Sequence, residues 1–190
     1  MFLPFEPRKA VQAAAVLLRI EPNQRTSYLR LLKLLYIADR EHLKASGRPI
    51  IGNRPVATKN GPLHGAVYDL IKGSHAAEDA WFKYIQKDRY EVQLVEDPGV
   101  LELSRSEIET LTSVSERHSN DTEWELVDLT QSFGEWQKNY VPNESTPIPF
   151  EDILWAIGFE EDDRKAIIAD LEEREQHARL LPTRPPVATS

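Results

Sequence analysis

Cysteine is absent from the 190-residue chain, which excludes disulfides, thiolate metal sites and a cysteine nucleophile together. Glycine is scarce: the eight are scattered, and none builds a G-x-G-x-x-G or P-loop phosphate cradle. A G-x-S-x-G nucleophile turn and a His-Glu-x-x-His zinc motif are also missing. The five histidines (His42, His64, His75, His118, His177) stand singly, with no i, i+4 pair to put two ligands on one helix face. No apolar run approaches the roughly 20 residues that cross a bilayer. Residues 1–5 are too short for a signal-peptide apolar region and no basic stretch precedes them. A cytoplasmic protein without membrane contact is expected, with no metal, no cofactor and no enzymatic activity. Positive charge is in short supply too, with 23 Lys plus Arg against 31 Asp plus Glu, a net charge of 23 − 31 = −8. Phosphate neutralisation needs a basic patch, so direct nucleic-acid binding is not expected and a protein partner is.

Apolar spacing then predicts a mainly helical protein. Residues 7–20 carry Ala10, Val11, Ala14, Leu17 and Leu18 as one stripe, with Pro7 at a first helical position and Pro22 and Asn23 ending it. Residues 27–45 follow, capped by Thr26 or Ser27 and stopped by Gly47. Their apolar stripe is wide enough to predict a central helix covered on more than one side. Between 47 and 62 the chain is rich in Gly, Pro and Asn, with room for two short extended pieces and a turn at Asn60-Gly61-Pro62. Short helices are expected at 63–72 and 76–82. Strands are expected at 84–86 and 90–95, turning at Lys87-Asp88, with 101–103 as a third.

Ser104 or Ser106 opens the next helix with a capping-box Glu. Residues 123–132 form another, ended by Gly134 with Trp136 beyond it. Residues 142–149 hold three prolines and should be irregular. Helices at 150–156 and 161–179 complete the pattern, and the tail 181–190 reads as disordered. The fold class is mainly α (α+β): one domain over 5–180, helical, with a small inserted antiparallel hairpin or three-stranded meander.

Candidate chemistry is sparse. Asp39 and His42 are three apart on one helix face, and with His64 nearby they could share a metal or a proton, as in a hydrolase. Alternatively, Asp39 ties the helix internally to a cation such as Lys59. The acidic runs at 160–163 and 172–173 read as solvated helix faces. The four tryptophans (Trp81, Trp124, Trp136, Trp155) read as core and corner residues.

The order of motifs carries more than any one of them. Leu34-Leu35-Tyr36-Ile37-Ala38-Asp39-Arg40, Gly47-Arg48-Pro49-Ile50, Ala57-Thr58-Lys59-Asn60-Gly61-Pro62 and Val67-Tyr68 follow one another. Leu126-Val127-Asp128-Leu129-Thr130-Gln131 and Glu135-Trp136 come later. This series, over about 11–136, resembles the Panacea domain, also called the SocA-like antitoxin domain. Gln131 stands where many members have His, and Gly134 where a proline often precedes the tryptophan.

The resemblance implies an antitoxin of a two-gene type II pair that neutralises its cognate toxin by binding it. The toxins of this family include ones resembling the synthetase domain of alarmone enzymes, which block translation. An adaptor that delivers a bound protein to a protease is the alternative, with the tail as its handle. Tyr36, Asp39, Lys59 and Tyr68 are the expected partner-binding residues; the alternative is that they are internal, with Tyr36 plugging the core and Asp39–Lys59 tying the helix to the turn. Gly47, Pro49, Gly61, Pro62, Asp128, Thr130 and Trp136 are the expected structural positions of the motifs.

Overall fold

The computed structural model describes residues 5–52 and 54–180. Helix α1 (Pro7–Ile20) opens with its proline in the first turn, and a short 3-10 turn (Pro22–Gln24) leads to strand β1 (Arg25–Ser27). Helix α2 (Tyr28–Ser46) follows at once, its first turn capped by the Ser27 hydroxyl accepting from the Arg30 N–H. Gly47, at φ +71°, closes it in the left-handed conformation that glycine adopts without a Cβ penalty.

Burial explains the arrangement of these helices. Every residue of α2 from Arg30 to Asp39 is buried, so the helix is enclosed on all sides. Residues 10–18 of α1 are buried as well, where the spacing predicted a single stripe. The cause is Ala13-Ala14-Ala15, whose small side chains let neighbouring helices approach all round.

Strands β2 (Pro55–Thr58) and β3 (Gly61–His64) form an antiparallel hairpin, with Thr58 paired to Gly61 at its tip. Helix α3 (Gly65–Lys72) begins two residues later than predicted because Leu63 and His64 extend β3. Helix α4 (Glu78–Phe82) and strands β4 (Ile85–Asp88) and β5 (Glu91–Leu94) come next. Their turn lies at Arg89-Tyr90, not Lys87-Asp88, and Arg89 takes φ +53°. The third strand of this sheet is β1, in the order β1-β5-β4, whereas 101–103 stays in a turn. Of the two expected forms, a hairpin or a three-stranded meander, β4 and β5 form the hairpin, and its third strand comes from β1, earlier in the chain.

Helices α5 (Arg105–Arg117) and α6 (Glu123–Gln131) each start with a complete capping box, Ser104 with Glu107 and Thr122 with Glu125. Gly134 does not simply end α6. It opens a further helix, α7 (Gly134–Asn139), which holds Trp136 inside it. Within the proline-rich stretch, β6 (Thr146–Pro147) adds a third strand beside β2, giving the order β3-β2-β6. Helices α8 (Phe150–Ala156) and α9 (Glu161–Leu180) end the described chain. The fold is thus mostly helical with two small three-stranded antiparallel sheets, α+β. The tail expected to be disordered lies outside the described residues.

Two apolar clusters flank the β2–β3 hairpin. The larger joins α1, α2 and α5 with β5, and it includes Leu63 of β3. The smaller gathers Leu43, Ala57, Ile148, Phe150 and Ile153, with Trp136, Ile167 and Leu171 against it. Trp81 is fully buried, but Trp124 and Trp155 are half-exposed on α6 and α8, which departs from the core role expected of them.

Candidate functional site

The hairpin is where the motifs meet. At and beside its tip, four carbonyls accept hydrogen bonds from four side chains. Trp136 Nε1 donates to the Thr58 carbonyl at 2.9 Å, and Gln131 Nε2 to the Lys59 carbonyl at 2.8 Å. Thr58 Oγ1 donates to the Gly61 carbonyl at 2.8 Å, and Lys33 Nζ to the Pro62 carbonyl at 2.7 Å. Gly61 sits at φ +86°, and a Cβ there would meet Thr130 Oγ1 at 2.6 Å. Only glycine fits both the turn and the close approach of α6. Gly61, Pro62, Thr130 and Trp136 thus all take part in the contacts around the hairpin tip. Asp128 is exposed and Pro49 half-buried. Gln131 needs only an N–H, so a neutral amide serves at this position.

A second network lies beneath. Asp39 Oδ1 accepts from the backbone N–H groups of Ile50 at 2.6 Å and Ile51 at 2.7 Å, fixing the loop after Gly47. Its Oδ2 faces the Nε2 of fully buried His64 at 3.6 Å. The expected pairing with Lys59 does not form. Burial pushes the Asp39 carboxyl up, while His64 and the two backbone donors oppose that shift. Burial likewise pushes the His64 imidazole down, against the pull of Asp39 and the Gly52 carbonyl. Tyr36 is 2% exposed and donates its hydroxyl to Glu135 Oε1 at 3.1 Å. Burial, with Glu135 beside it, raises that phenol well above its ordinary value. Arg40 donates to the same Glu135 oxygen at 2.8 Å and lies 4.1 Å over the Phe133 ring.

His42 turns the other way, its Nδ1 at 3.4 Å from Thr110 Oγ1. Asp39, His42 and His64 therefore do not converge. Among the described residues, no three His, Asp or Glu side chains are grouped to hold a metal.

The structure thus divides the four residues expected at an interface. Tyr36 and Asp39 are buried, while Lys59 and Tyr68 line one open groove of about 680 Å³. Val56, Thr58 and Leu63, on one face of the hairpin, line it together with Tyr28 and Leu32 of α2. Tyr28 and Tyr68 meet edge to face at 6.4 Å, and the Lys72 ammonium stands over both rings at 4.8 and 5.2 Å.

Sequence reasoning missed Lys33 and Glu135. Lys33 interrupts the run Leu31-Leu32-Lys33-Leu34-Leu35, and that single cation inside an apolar block was its signal. Glu135 meets Arg40 across 95 residues of chain, for which no local signal exists.

A family model described as the SocA-like antitoxin, Panacea domain, matches residues 31–137, more than half of the chain. The chain belongs to the SocA-like Panacea antitoxin family. The matched stretch begins inside α2, so α1 lies outside it, although the motif resemblance began near Val11. It ends just after Trp136 and takes in both networks. Neither the curated proteins nor the solved structures contain a match to the chain. Among the described residues, no helix is long and apolar enough to cross a membrane.

Proposed function

We propose that this Panacea protein is an antitoxin that neutralises a cognate toxin by direct binding, and that the groove beside the hairpin is the contact face. Family membership carries the reading, and the groove's composition supports its location. Two tyrosines held by a lysine, over an aliphatic floor, match the aromatic anchors that carry most truncation cost at interfaces. The hairpin that supplies part of this lining is tied by four side-chain donors, so little ordering would remain to be done on binding.

Tyr36 and Asp39 act in this reading as supports. They fix α2 and the 47–52 loop behind the hairpin and do not touch the toxin. The test is co-expression with the product of the adjacent gene, followed by growth rescue and co-purification. Lys59→Met should lower affinity about tenfold or more, the range of an interface anchor, at an unchanged melting temperature. Tyr68→Ala should lower it likewise when measured at a temperature where that variant, which loses packing on Tyr28, is fully folded. Rescue and affinity retained in both variants would move the contact face elsewhere. No rescue by the unaltered chain would remove the neutralising role toward that partner.

A further inference from the structure

The face of α2 that meets the hairpin is polar, although it is enclosed. Lys33, Tyr36 and Arg40 follow at i, i+3 and i+7, with Asp39 beside them. Two bases on or against this face are fully buried, Lys33 and His64. Among the described residues Lys33 has one hydrogen-bond acceptor, the Pro62 carbonyl, where an ammonium has three donors to satisfy. Among the described residues, neither ring nitrogen of His64 has a well-placed partner. Both bases engage the same four-residue strand, at Pro62 and at His64 itself, and every residue of that strand is buried.

We propose that the β2–β3 hairpin is a proton-sensitive latch, in which the uncharged Lys33 amine and His64 imidazole hold β3 against α2 and protonation of either loosens it. The proposal rests on the toxin-binding reading only in its consequence, since β2 and β3 contribute Val56, Thr58 and Leu63 to the groove. The surroundings of each base are few. Against Lys33 stand the Pro62 carbonyl and, around Gly61, the Thr130 hydroxyl, and its shift down to about 7 comes from burial alone. Against His64 stand the Asp39 carboxyl, the Gly52 carbonyl and the Tyr36 ring at 5.5 Å.

A charged Lys33 would leave donors unsatisfied in an apolar setting, which opening to water relieves. The sign follows from proton counting. The open state binds a proton that the closed state refuses, so closure strengthens as pH rises from about 7 to the ordinary lysine value of 10.5. His64 extends the same trend downward below 6.5, because its closed form also prefers to be neutral. The hairpin can respond by itself, since its strands are only four residues long and β6 adds a two-residue pairing.

The isolated full chain suffices for the test, so failure to find a toxin cannot be confused with failure of the latch. Amide exchange at Val56, Ala57 and Leu63, corrected for intrinsic rates, is followed from pH 6 to 10. The opening constant should rise about tenfold per unit as pH falls through the 10-to-7 window. In Lys33→Met, which fills the same space without a titrating group, that slope should vanish. Equal slopes in the two proteins would overturn the latch. Should Lys33→Met not fold, the carbon-13 titration of the Lys33 Cε in the unaltered protein decides. A midpoint near 7 supports the proposal, and one at the ordinary lysine value defeats it.

Discussion

At the scale of the residue, Gly61 and Asp39 have the most to lose. Gly61→Ala combines a positive φ with a Cβ 2.6 Å from Thr130 Oγ1, whereas Gly99→Ala has a similar φ (+74°) and nothing within 4 Å. Gly99→Ala should cost about 1 kcal/mol, the strain alone, and Gly61→Ala about 2–4 kcal/mol once overpacking is added. Thermal melts of both variants measure the difference. Adding Thr130→Ser to Gly61→Ala should recover none of it, because the clashing hydroxyl remains, whereas Thr130→Ala should recover part. For Asp39→Ala, the Ile50 and Ile51 N–H groups lose their acceptor, and a loss of about 2–4 kcal/mol is expected in a denaturant titration. Lys59→Met removes an exposed ammonium and should leave the same curve unchanged within about 0.5 kcal/mol. Those paired outcomes separate a supporting residue from a contact residue. A stable Asp39→Ala would reopen the interface role for that carboxylate.

At the scale of the element, the hairpin and its fasteners behave as one unit. Trp136→Phe keeps a six-membered ring beside Tyr140 but removes the pyrrole half of the indole together with its bond to Thr58. A cost of about 1–3 kcal/mol is expected, read as faster amide exchange strongest in β2 and β3. Gln131→Met should act the same way at Lys59. Exchange that quickens evenly through α1 and α5 as well would show that the hairpin does not open separately. The helix ends were legible because their chemistry is local: Ser104 with Glu107, Ser27 before α2 and Gly47 after it all name their own positions. The start of α3 was not legible. Leu63 has an apolar side chain suited to either element, and only its pairing with Val56 makes it strand.

At the scale of the whole molecule, the buried Glu135–Arg40 pair joins α7 to α2 and so ties the smaller apolar cluster to the larger. Glu135→Gln should destabilise the chain by about 2–4 kcal/mol, since Arg40 then loses its charge partner and Tyr36 its strongest acceptor. Tyr36→Phe, removing one neutral donor, should cost only about 1 kcal/mol. Urea melts of the two give the ranking, and a Tyr36→Phe loss equal to that of Glu135→Gln would mean that the Tyr36 hydroxyl bond, and not the Arg40 ion pair, carries this junction. Toxin affinity, measured at a temperature where each variant is folded, should be unchanged in both if the groove alone makes the contact.

The sequence by itself determined most of the helices, their caps and the family, because periodicity, capping and motif order are written in neighbouring residues, but it did not show α7 or place the turn at Arg89-Tyr90. It also placed Lys59 and Tyr68 among the residues worth testing. The tertiary structure decided the rest. Whether Asp39 meets Lys59 or the Ile50 amide depends on where the 47–52 loop folds back, which no spacing along α2 encodes. Strand β1 joins β5 across more than sixty residues, and β6 joins β2 across about ninety. Pairing at that range is chosen by the packing of the helices between them, so three-residue and two-residue strands leave no pattern to find. The buried Lys33 shows the same division: its position in the sequence marks an oddity, and only the hairpin laid against it gives the amine a single acceptor and a pKa near neutrality.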